Sequence, residues 1–410
     1  MSDLIKDRLP IKTEADALPN HPAVKTPWDK LISFRETYAY AMRHNATVAA
    51  MFMQVLRIII PDYEDRSEAL CELNLPNYKA NYSIPEFQDV TRQTKTVPPF
   101  VYGAYTSVVE ADHGDEALLM CGRVNDYSTY RTEKELDTCP WDIVGSEYCH
   151  CTTCFSQAMG EAWGDAIGQG LFEFNMIEAR GCGDRHCRIV GEDRTKFPMP
   201  PKKNMHDNFG PIATQDLIKV TPEEDCYSIP QQFRPECNYL YHNGFNAEYT
   251  GAEMFEAMAS MPLGSNNIIP TLLAKEPDKD KVFHVTKCVF EGAGKMAFSE
   301  VSAVKGLRDW LGVPGDVNDG RVLGGYIEVV LQSILCDYRI EEFNKDRVVY
   351  DISLSGLQRY FELLTHAYLS MWNGMVKTLI GAEWAVWRET ENVDKRTLRL
   401  VIGKKIDKFC

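Results

Sequence analysis

Hydrophobic positions recur every three or four residues along two stretches of the chain. Between residues 28 and 60 this spacing predicts one or two amphipathic helices, which Pro61 ends because proline cannot continue a helix. Residues 148–167 follow the same period, and a helix there places Cys151, Cys154 and Ala158 on one face. Further helices are predicted at 252–261, 300–311 and 357–380.

Alternation of apolar and polar positions predicts strands in both halves of the chain. Residues 172–178 alternate in this way and end on Glu178, so a strand there places this carboxylate on a mostly apolar face. Gly181 and Gly183 predict a tight turn, after which Cys187 returns beside Cys182 on a second strand. Other strands are predicted at 102–111, 116–124, 282–290, 326–331, 347–352, 384–389 and 397–402.

Two stretches placed 211 residues apart share a frame of residues. Glu178 matches Glu389, Arg188 matches Arg399, and the segments 102–109 and 323–330 are alike upstream. Trp141-Asp-Ile likewise resembles Tyr350-Asp-Ile. Together these matches predict a tandem duplication of units of about ninety residues. The fold expected is α+β, with two related mixed α/β units, antiparallel sheets, flanking helices and a pseudo-twofold relation.

The duplication divides the chain into five segments. They are an N-terminal helical segment (1–100), a first unit with a metal site (101–192), a Pro-rich linker or arm (193–245), a helical and strand lead (246–320) and a degenerate second unit (321–410). At the offset of 211, Cys154, Cys182 and Cys187 become Thr365, Val393 and Leu398. One metal ion per chain is therefore expected.

Composition restricts the classes of partner. Among 410 residues, 44 Lys and Arg against 59 Asp and Glu give a net charge of −15, which argues against nucleic acid or an anionic membrane as the partner. The longest apolar run, residues 48–60, is interrupted by Gln54 and Arg57 and is too short to span a bilayer. With no secretory signal in view, we expect a cytoplasmic protein with reduced thiols.

Six of the 13 cysteines crowd into about fifty residues, beside His150 and His186. These six are Cys139, Cys149, Cys151, Cys154, Cys182 and Cys187. A cluster of this kind indicates metal binding or thiol chemistry, whereas a lone buried cysteine is usually a small apolar residue.

One part of this region resembles a known family. The run Cys154, Met159-Gly160, Trp163-Gly164, Glu178, Gly181-Cys182-Gly183-Asp184, Cys187 and Gly191 is similar to the 4-vinyl reductase domain, which is also the sensor domain of regulators that recognise aromatic compounds. The resemblance implies one zinc ion held by a helical Cys, a Glu at a strand end and two Cys around a glycine turn. By position these are Cys154, Glu178, Cys182 and Cys187. Because the spacings depart from the family pattern, Cys151 is the alternative to Cys154.

The resemblance also bears on partners. Family members usually pair as dimers, so a homodimer, or the same pairing built inside one duplicated chain, is expected. The ATPase module and the DNA-binding helix pair of the regulators have no counterpart in the sequence, so transcription activation is not implied.

Two functions from different classes follow. The first is a binding protein in which a closed zinc site supports an apolar pocket for a small hydrophobic or aromatic metabolite, lined by Phe155, Trp163, Phe172 and Phe174. The second is a metal- or cysteine-dependent enzyme acting on a small cyclic or aromatic substrate, with His150 and Cys151 as catalytic candidates. Hydrolysis comes first because zinc-bound water is ionised near neutral pH, and lyase or reductase chemistry comes next. An iron-sulfur site at Cys139, Cys149, Cys151 and Cys154 is a third hypothesis, although this spacing matches no common run.

Overall fold

The computed structural model describes residues 22–83, 121–127, 131–138, 140–167, 172–185, 187–194, 197–198, 263–334, 336–354, 362–392 and 397–405. Its helices are α1 (Phe34–Ile59), α2 (Tyr63–Tyr82), α3 (Ser146–Ile167), α4 (Leu263–Lys275), α5 (Lys279–Ala297), α6 (Val301–Leu311), α7 (Arg321–Ser333) and α8 (Glu362–Leu379). Its strands are β1 (Pro22–Lys25), β2 (Leu31–Ser33), β3 (Cys121–Tyr127), β4 (Arg131–Thr138), β5 (Phe172–Glu178), β6 (Cys187–Asp193), β7 (Tyr338–Phe343), β8 (Arg347–Ser353), β9 (Trp384–Asn392) and β10 (Thr397–Lys404). Helices with antiparallel sheets make this an α+β protein, as the sequence predicts.

By its contacts the chain divides into two compact units. The first unit comprises residues 1–19 and 60–257, and the second unit comprises residues 20–59 and 258–410. Helix α1 therefore belongs to the second unit, although it precedes the first unit in the sequence. The described elements of the first unit are α2, α3 and β3 to β6.

In the first unit, α2 packs along α3, and α3 packs on β5. The Asp62 side chain caps α2 by accepting from the backbone N–H of Asp65 at 3.0 Å. Inside the helix pair, Arg66 donates to the Glu147 carboxylate at 2.9 Å, and both side chains are buried. This pair fixes the start of α3 against the start of α2.

In the second unit, α5 packs along α8, and α1 packs against α4 and α5. The α5–α8 crossing is close because glycine lies on both sides of it. A Cβ atom at Gly294 would collide with the carbonyl oxygen of Met371, and one at Gly374 would collide with that of Glu291. The backbones can therefore approach only where no side chain intervenes.

The two four-stranded sheets have the same strand order. The first runs β3-β4-β6-β5 and the second runs β7-β8-β10-β9, with antiparallel neighbours throughout. In each sheet one long helix, α3 or α8, connects the second strand in the sequence to the third. Both units are thus built on a ββαββ arrangement.

Two irregularities recur in both sheets, and the first sheet has a further one between Cys121 and Gly122. The first strand of each sheet has a bulge, at Asn125 in β3 and at Glu341 in β7, 216 positions later. The third strand of each has one as well, at Ile177 in β5 and at Glu389 in β9. In both sheets the register aligns an acidic residue between two arginines on neighbouring strands, Arg123–Glu135–Arg188 and Arg339–Asp351–Arg399.

The correspondence extends to the helices that precede the sheets. Asp278 caps α5 by accepting from Lys281 N–H at 3.1 Å, as Asp62 caps α2, and the two caps are 216 positions apart. With this offset, the predicted repeated unit would include a leading helix and would be longer than the sequence match indicates. The shared topology supports a duplication, which stays a prediction, as does the pseudo-twofold relation.

Several predicted elements are confirmed, and two strands are wrong. Helices α1, α3, α6 and α8 and strands β5, β6, β8, β9 and β10 form where the pattern places them, and β3 overlaps the strand predicted at 116–124. Residues 282–290 lie in helix α5 and residues 326–331 in helix α7, where strands are predicted. Helices α2 and α4 and strands β1, β2, β4 and β7 are not predicted. Strand β2 occupies residues 31–33, so the helix predicted from residue 28 begins only at Phe34. The strand at 102–111, the helix at 252–261 and the linker or arm at 193–245, apart from residues 193, 194, 197 and 198, lie outside the described residues.

The two wrong strands have one physical cause. Both segments are rich in β-branched and aromatic residues, which the sequence alone cannot distinguish from a buried helix. In α5 the buried residues are Val282, Thr286, Phe290 and Gly294, a strict four-residue spacing, and α7 is buried almost throughout. One of the sequence matches is wrong, because Trp141-Asp-Ile lies in a 3-10 turn while Tyr350-Asp-Ile lies in β8. Residues 323–330 are helical, and their match at 102–109 lies outside the described residues.

Across the described ranges, no helix has the length and apolar character needed to cross a bilayer.

Candidate functional site

The turn between β5 and β6 carries two of the predicted metal ligands. Residues Arg180–Cys182 form one 3-10 turn, which Gly183 ends with a left-handed φ of 100° that favours glycine. Cys182 is exposed on this turn, and Cys187 is buried at the start of β6. Glu178 closes β5 and pairs in register with Arg188, the neighbour of Cys187. The strand–turn–strand arrangement predicted from the sequence is confirmed.

Hydrogen bonds hold this turn rigidly. Cys182 N–H donates to the Ala179 carbonyl at 2.9 Å, and the Asp184 carboxylate accepts from Ala179 N–H at 2.8 Å. Arg180 donates from Nε and Nη2 to Asp142 at 3.1 and 3.0 Å, which ties the turn to the 3-10 turn Pro140–Val144 before α3. The Arg180 backbone N–H points at Cys187 Sγ, 3.4 Å away. The thiol of Cys187 is therefore held in place by backbone and not only by packing.

The start of helix α3 lies against the turn. A Cβ atom at Gly181 would stand 2.6 Å from Cys149 Sγ and 3.2 Å from the backbone of Gly145. Only glycine allows so close an approach of the turn to the helix. The negative charge of Glu147 also acts on Cys182. The first turn of α3 thus presents a thiol and a carboxylate toward the turn that carries Cys182.

Cys154 lies elsewhere on α3, in the interface with α2. It forms a hydrogen bond with Cys71, and this bond, burial and the nearby charges of Cys154 and Cys151 raise the pKa of the Cys71 thiol. Cys71, Cys151 and Cys154 are all buried. The α2–α3 interface is therefore a second cluster of thiols, one not foreseen from the sequence because Cys71 looks like a scattered cysteine.

The surroundings of Cys182 and Cys187 raise the pKa of both thiols. Burial, followed by the charges of Asp184, Cys187 and Glu147, raises the pKa of Cys182. Burial also raises the pKa of Cys187, although the N–H and guanidinium of Arg180 partly offset it. Acidic groups around two thiols favour a cation, which would displace their protons on binding.

The four predicted ligands are not assembled into one site. Within the part of the chain that the structure describes, no three His, Cys, Asp or Glu side chains are close enough together to hold a metal ion. Cys182 and Cys187 are neighbours, Glu178 is at the adjacent strand end, and Cys154 contacts Cys71. The zinc site stays a prediction, as does its ligand set.

The catalytic candidates are both buried. His150 packs edge-on against Tyr63, with ring centroids 6.0 Å apart, and Cys151 faces the thiol cluster of α2 and α3. Burial of both groups does not favour their contact with a substrate. Cys139 lies outside the described residues, so the iron-sulfur hypothesis stays a prediction.

The predicted pocket residues occupy two packed elements. Phe155 and Trp163 lie on α3, and Phe172 and Phe174 lie on β5, on which α3 packs.

The second unit contains a polar network that the sequence reasoning missed. His44 of α1 is stacked between Tyr40 and Tyr368, with its Nε2 2.9 Å from Tyr368 Oη and its Nδ1 3.3 Å from Tyr40 Oη. Tyr40 in turn donates to Tyr326 Oη at 3.0 Å. The only sequence signal is the four-residue spacing of Tyr40 and His44 on a helix. Desolvation lowers the pKa of His44 to about 4, so this imidazole is neutral in the folded protein.

At the predicted counterpart of the metal site, the second unit differs in register. Thr390, and not Glu389, lies opposite Arg399, while Glu389 falls at the bulge and pairs with Arg347 at 2.5 Å. The carboxylate that the sequence aligns with Glu178 is thus exposed and engaged in an ion pair.

No protein-family model, curated protein or solved structure matches this chain.

Proposed function

We propose that the protein binds a small hydrophobic or aromatic molecule in its first unit, beside one structural zinc ion. The observation that carries the proposal is the β5–β6 turn. Cys182 lies on this turn, Cys187 follows it, and the Cys149 thiol of α3 packs against it. Two cysteine thiolates and a carboxylate at the strand end are donor groups that zinc prefers.

The zinc ion is proposed to be structural. Glu178, Cys182, Cys187 and one thiol of α3, Cys154 in the family resemblance, would complete a tetrahedral shell of four protein ligands and leave no position for water. The bound ion would supply fold stability at this turn. Two features of the chain support it: the Arg180–Asp142 pair already anchors the turn, and the surrounding acidic groups would be neutralised by a cation.

The ligand is proposed to lie between α3 and β5. Phe155 and Trp163 belong to α3, and Phe172 and Phe174 belong to β5, and aromatic residues are the type that lines such a pocket. The second unit, which has no equivalent of Cys182 or Cys187 in the sequence, is proposed to serve as a scaffold. The net charge of −15 supports a small molecule, rather than nucleic acid or a membrane, as the partner.

Metal analysis tests the zinc ion. Anaerobically purified protein should contain about one zinc per chain, and Cys182→Ala and Cys187→Ala should each lose it. A folded native protein without metal would refute the proposal. X-ray absorption then decides the type of site, because three protein ligands with a bound water would favour the hydrolase instead.

Native mass spectrometry tests the ligand. Protein from its own source should retain a small apolar molecule, and substitution of Trp163 or Phe174 by Ala should weaken its retention. Equal retention in both variants would place the ligand elsewhere.

A further inference from the structure

The buried thiols of helix α3 do not share one face. Cys149 and Cys154 are five residues apart, which separates them by about 140° around the helix axis and by about 7.5 Å along it. Cys154 is directed to Cys71 of α2, whereas Cys149 Sγ lies against Gly181. The two thiols therefore serve different neighbours.

The close approach of Gly145 to Gly181 places Cys149 beside the β5–β6 turn. Gly145, just before α3, and Gly181 are near enough that a Cβ on Gly181 would stand 3.2 Å from the Gly145 carbonyl. Cys182 follows Gly181 directly. Glu147, in the same turn of α3, pairs with the buried guanidinium of Arg66 at 2.7 Å, so its carboxylate already has a partner. Cys149 is thus the thiol of α3 that lies against the turn.

We infer that Cys149, and not Cys154, is the helical zinc ligand, acting with Cys182, Cys187 and Glu178. This inference rests on the proposed function and corrects the position that the family resemblance gives. Cys154 is then a core thiol that packs against Cys71. Cys149 also lies in the first turn of α3, where the helix N-terminus stabilises a thiolate.

Zinc binding must also draw the ligands together. In the described portion of the chain no three such groups stand close enough to hold an ion, and a Zn–S bond is about 2.3 Å. Cys182 is the exposed member of the set, on a short turn, so its side chain has the freedom to move toward Cys149.

Matched serine variants of the full chain test the assignment. Wild type, Cys149→Ser, Cys154→Ser and Cys182→Ser are loaded with zinc, desalted and analysed for metal, with circular dichroism as a check on folding. We expect Cys149→Ser and Cys182→Ser to lose the zinc and Cys154→Ser to retain it. Retention by Cys149→Ser together with loss by Cys154→Ser overturns the inference and leaves the proposed function standing. Wild type that takes up no zinc overturns both.

A second measurement uses wild type alone and therefore does not depend on the folding of any variant. Thiols are alkylated with and without zinc, and each cysteine is quantified by mass spectrometry. Removal of zinc by a chelator should increase the labelling of Cys149, Cys182 and Cys187 and leave that of buried Cys154 unchanged. A zinc-dependent change at Cys154 with none at Cys149 contradicts the inference.

Discussion

At the scale of single residues, His44 shows how burial converts a side chain into a pH-dependent source of instability. Its ring is stacked between two tyrosines, hydrogen-bonded through both nitrogens, and its pKa is lowered to about 4. The unfolded chain has a pKa near 6.5 for the same group, so between about pH 6.5 and 4 the unfolded state binds more protons. Stability must therefore fall as the pH falls through this window, by up to about 3 kcal/mol.

We predict that His44→Gln removes most of this pH dependence, because glutamine keeps hydrogen-bonding groups and does not titrate. The measurement is urea unfolding of the second-unit transition at several pH values between about 7 and 4. His366→Gln is the control: burial lowers the pKa of His366 too, but this ring is only half buried, where it contacts Phe283. A slope that is unchanged in His44→Gln would contradict the prediction.

The candidate site shows what sequence can and cannot supply about residues. The turn, the two cysteines beside it and the strand end at Glu178 follow from local alternation and glycine spacing, and the structure confirms their positions. Which thiol of α3 reaches the turn does not follow, because it depends on α2, whose Cys71 contacts Cys154. Helix α2 has no clear hydrophobic period in the sequence, so its partner thiol could not be identified.

At the scale of elements, one buried ion pair determines how α2 meets α3. Arg66 bonds Glu147 and also donates from Nη1 to the carbonyls of Ile60 and Pro61 at 2.8 and 2.9 Å. These polar hydrogens would otherwise be buried in the helix interface without acceptors. Removal of one partner of such a pair leaves a buried charge without compensation.

We predict that Arg66→Met destabilises the first unit by about 3–5 kcal/mol. Lys79→Met is the matched control, since Lys79 pairs with Glu161 at 3.3 Å between the same two helices, but both of these side chains are about a third exposed or more. It should cost about 0–1 kcal/mol. Chemical denaturation of both variants provides the comparison, and equal losses would mean that burial of the Arg66 pair has no special role.

The α5–α8 crossing gives an element-scale prediction that concerns backbone. Gly294→Ala would place a methyl group against the Met371 carbonyl, so we expect a loss of about 1–3 kcal/mol. At Gly292, two positions away on α5, an added Cβ would have no atom within 4 Å, and Gly292→Ala should be neutral or stabilising by up to about 1 kcal/mol. Thermal unfolding compares the two variants. Similar melting temperatures would show that the helices can separate without cost.

Elements with one apolar face were predictable, and elements buried on all sides were not. The amphipathic helices α1 and α3 are indicated by a three-to-four spacing, and β10 by alternation. Helix α7 could not be predicted from spacing, because nearly every side chain from Val322 to Leu331 is buried. The run Tyr-Ile-Glu-Val-Val-Leu fits a strand equally well. Packing against Trp28 and Tyr350, through Gly325 and Gly324, selects the helix.

At the scale of the whole molecule, the two units share a topology, and chain order does not follow unit order. Residues 20–59 belong with residues 258–410, and the first unit lies between them in the sequence. The segment 20–59 supplies much of the second unit's interior. The rings of Phe52 and Phe290 pack at a tilt with centroids 4.8 Å apart, and Thr26 Oγ1 donates to the Leu311 carbonyl at 2.9 Å.

The second unit is therefore discontinuous, and this has a direct consequence for its folding. We predict that residues 258–410 expressed alone do not fold cooperatively, since loss of α1 exposes Phe290 and removes the hydrogen-bond partners of Tyr326 and Tyr368. Residues 20–59 joined to 258–410 by a flexible linker should restore a cooperative transition, measured by circular dichroism and near-ultraviolet spectra during thermal unfolding.

A variant of the fused protein separates specific packing from mere chain length. Phe52→Ala within the fused protein should lower its melting temperature, since a buried phenylalanine contributes about 3–5 kcal/mol through packing. Exchange of an exposed residue of the same helix, Gln54→Ala, should leave it unchanged. If residues 258–410 alone unfold cooperatively, the second unit does not need α1 for its stability. The prediction of a core shared between the two separated segments would then be wrong.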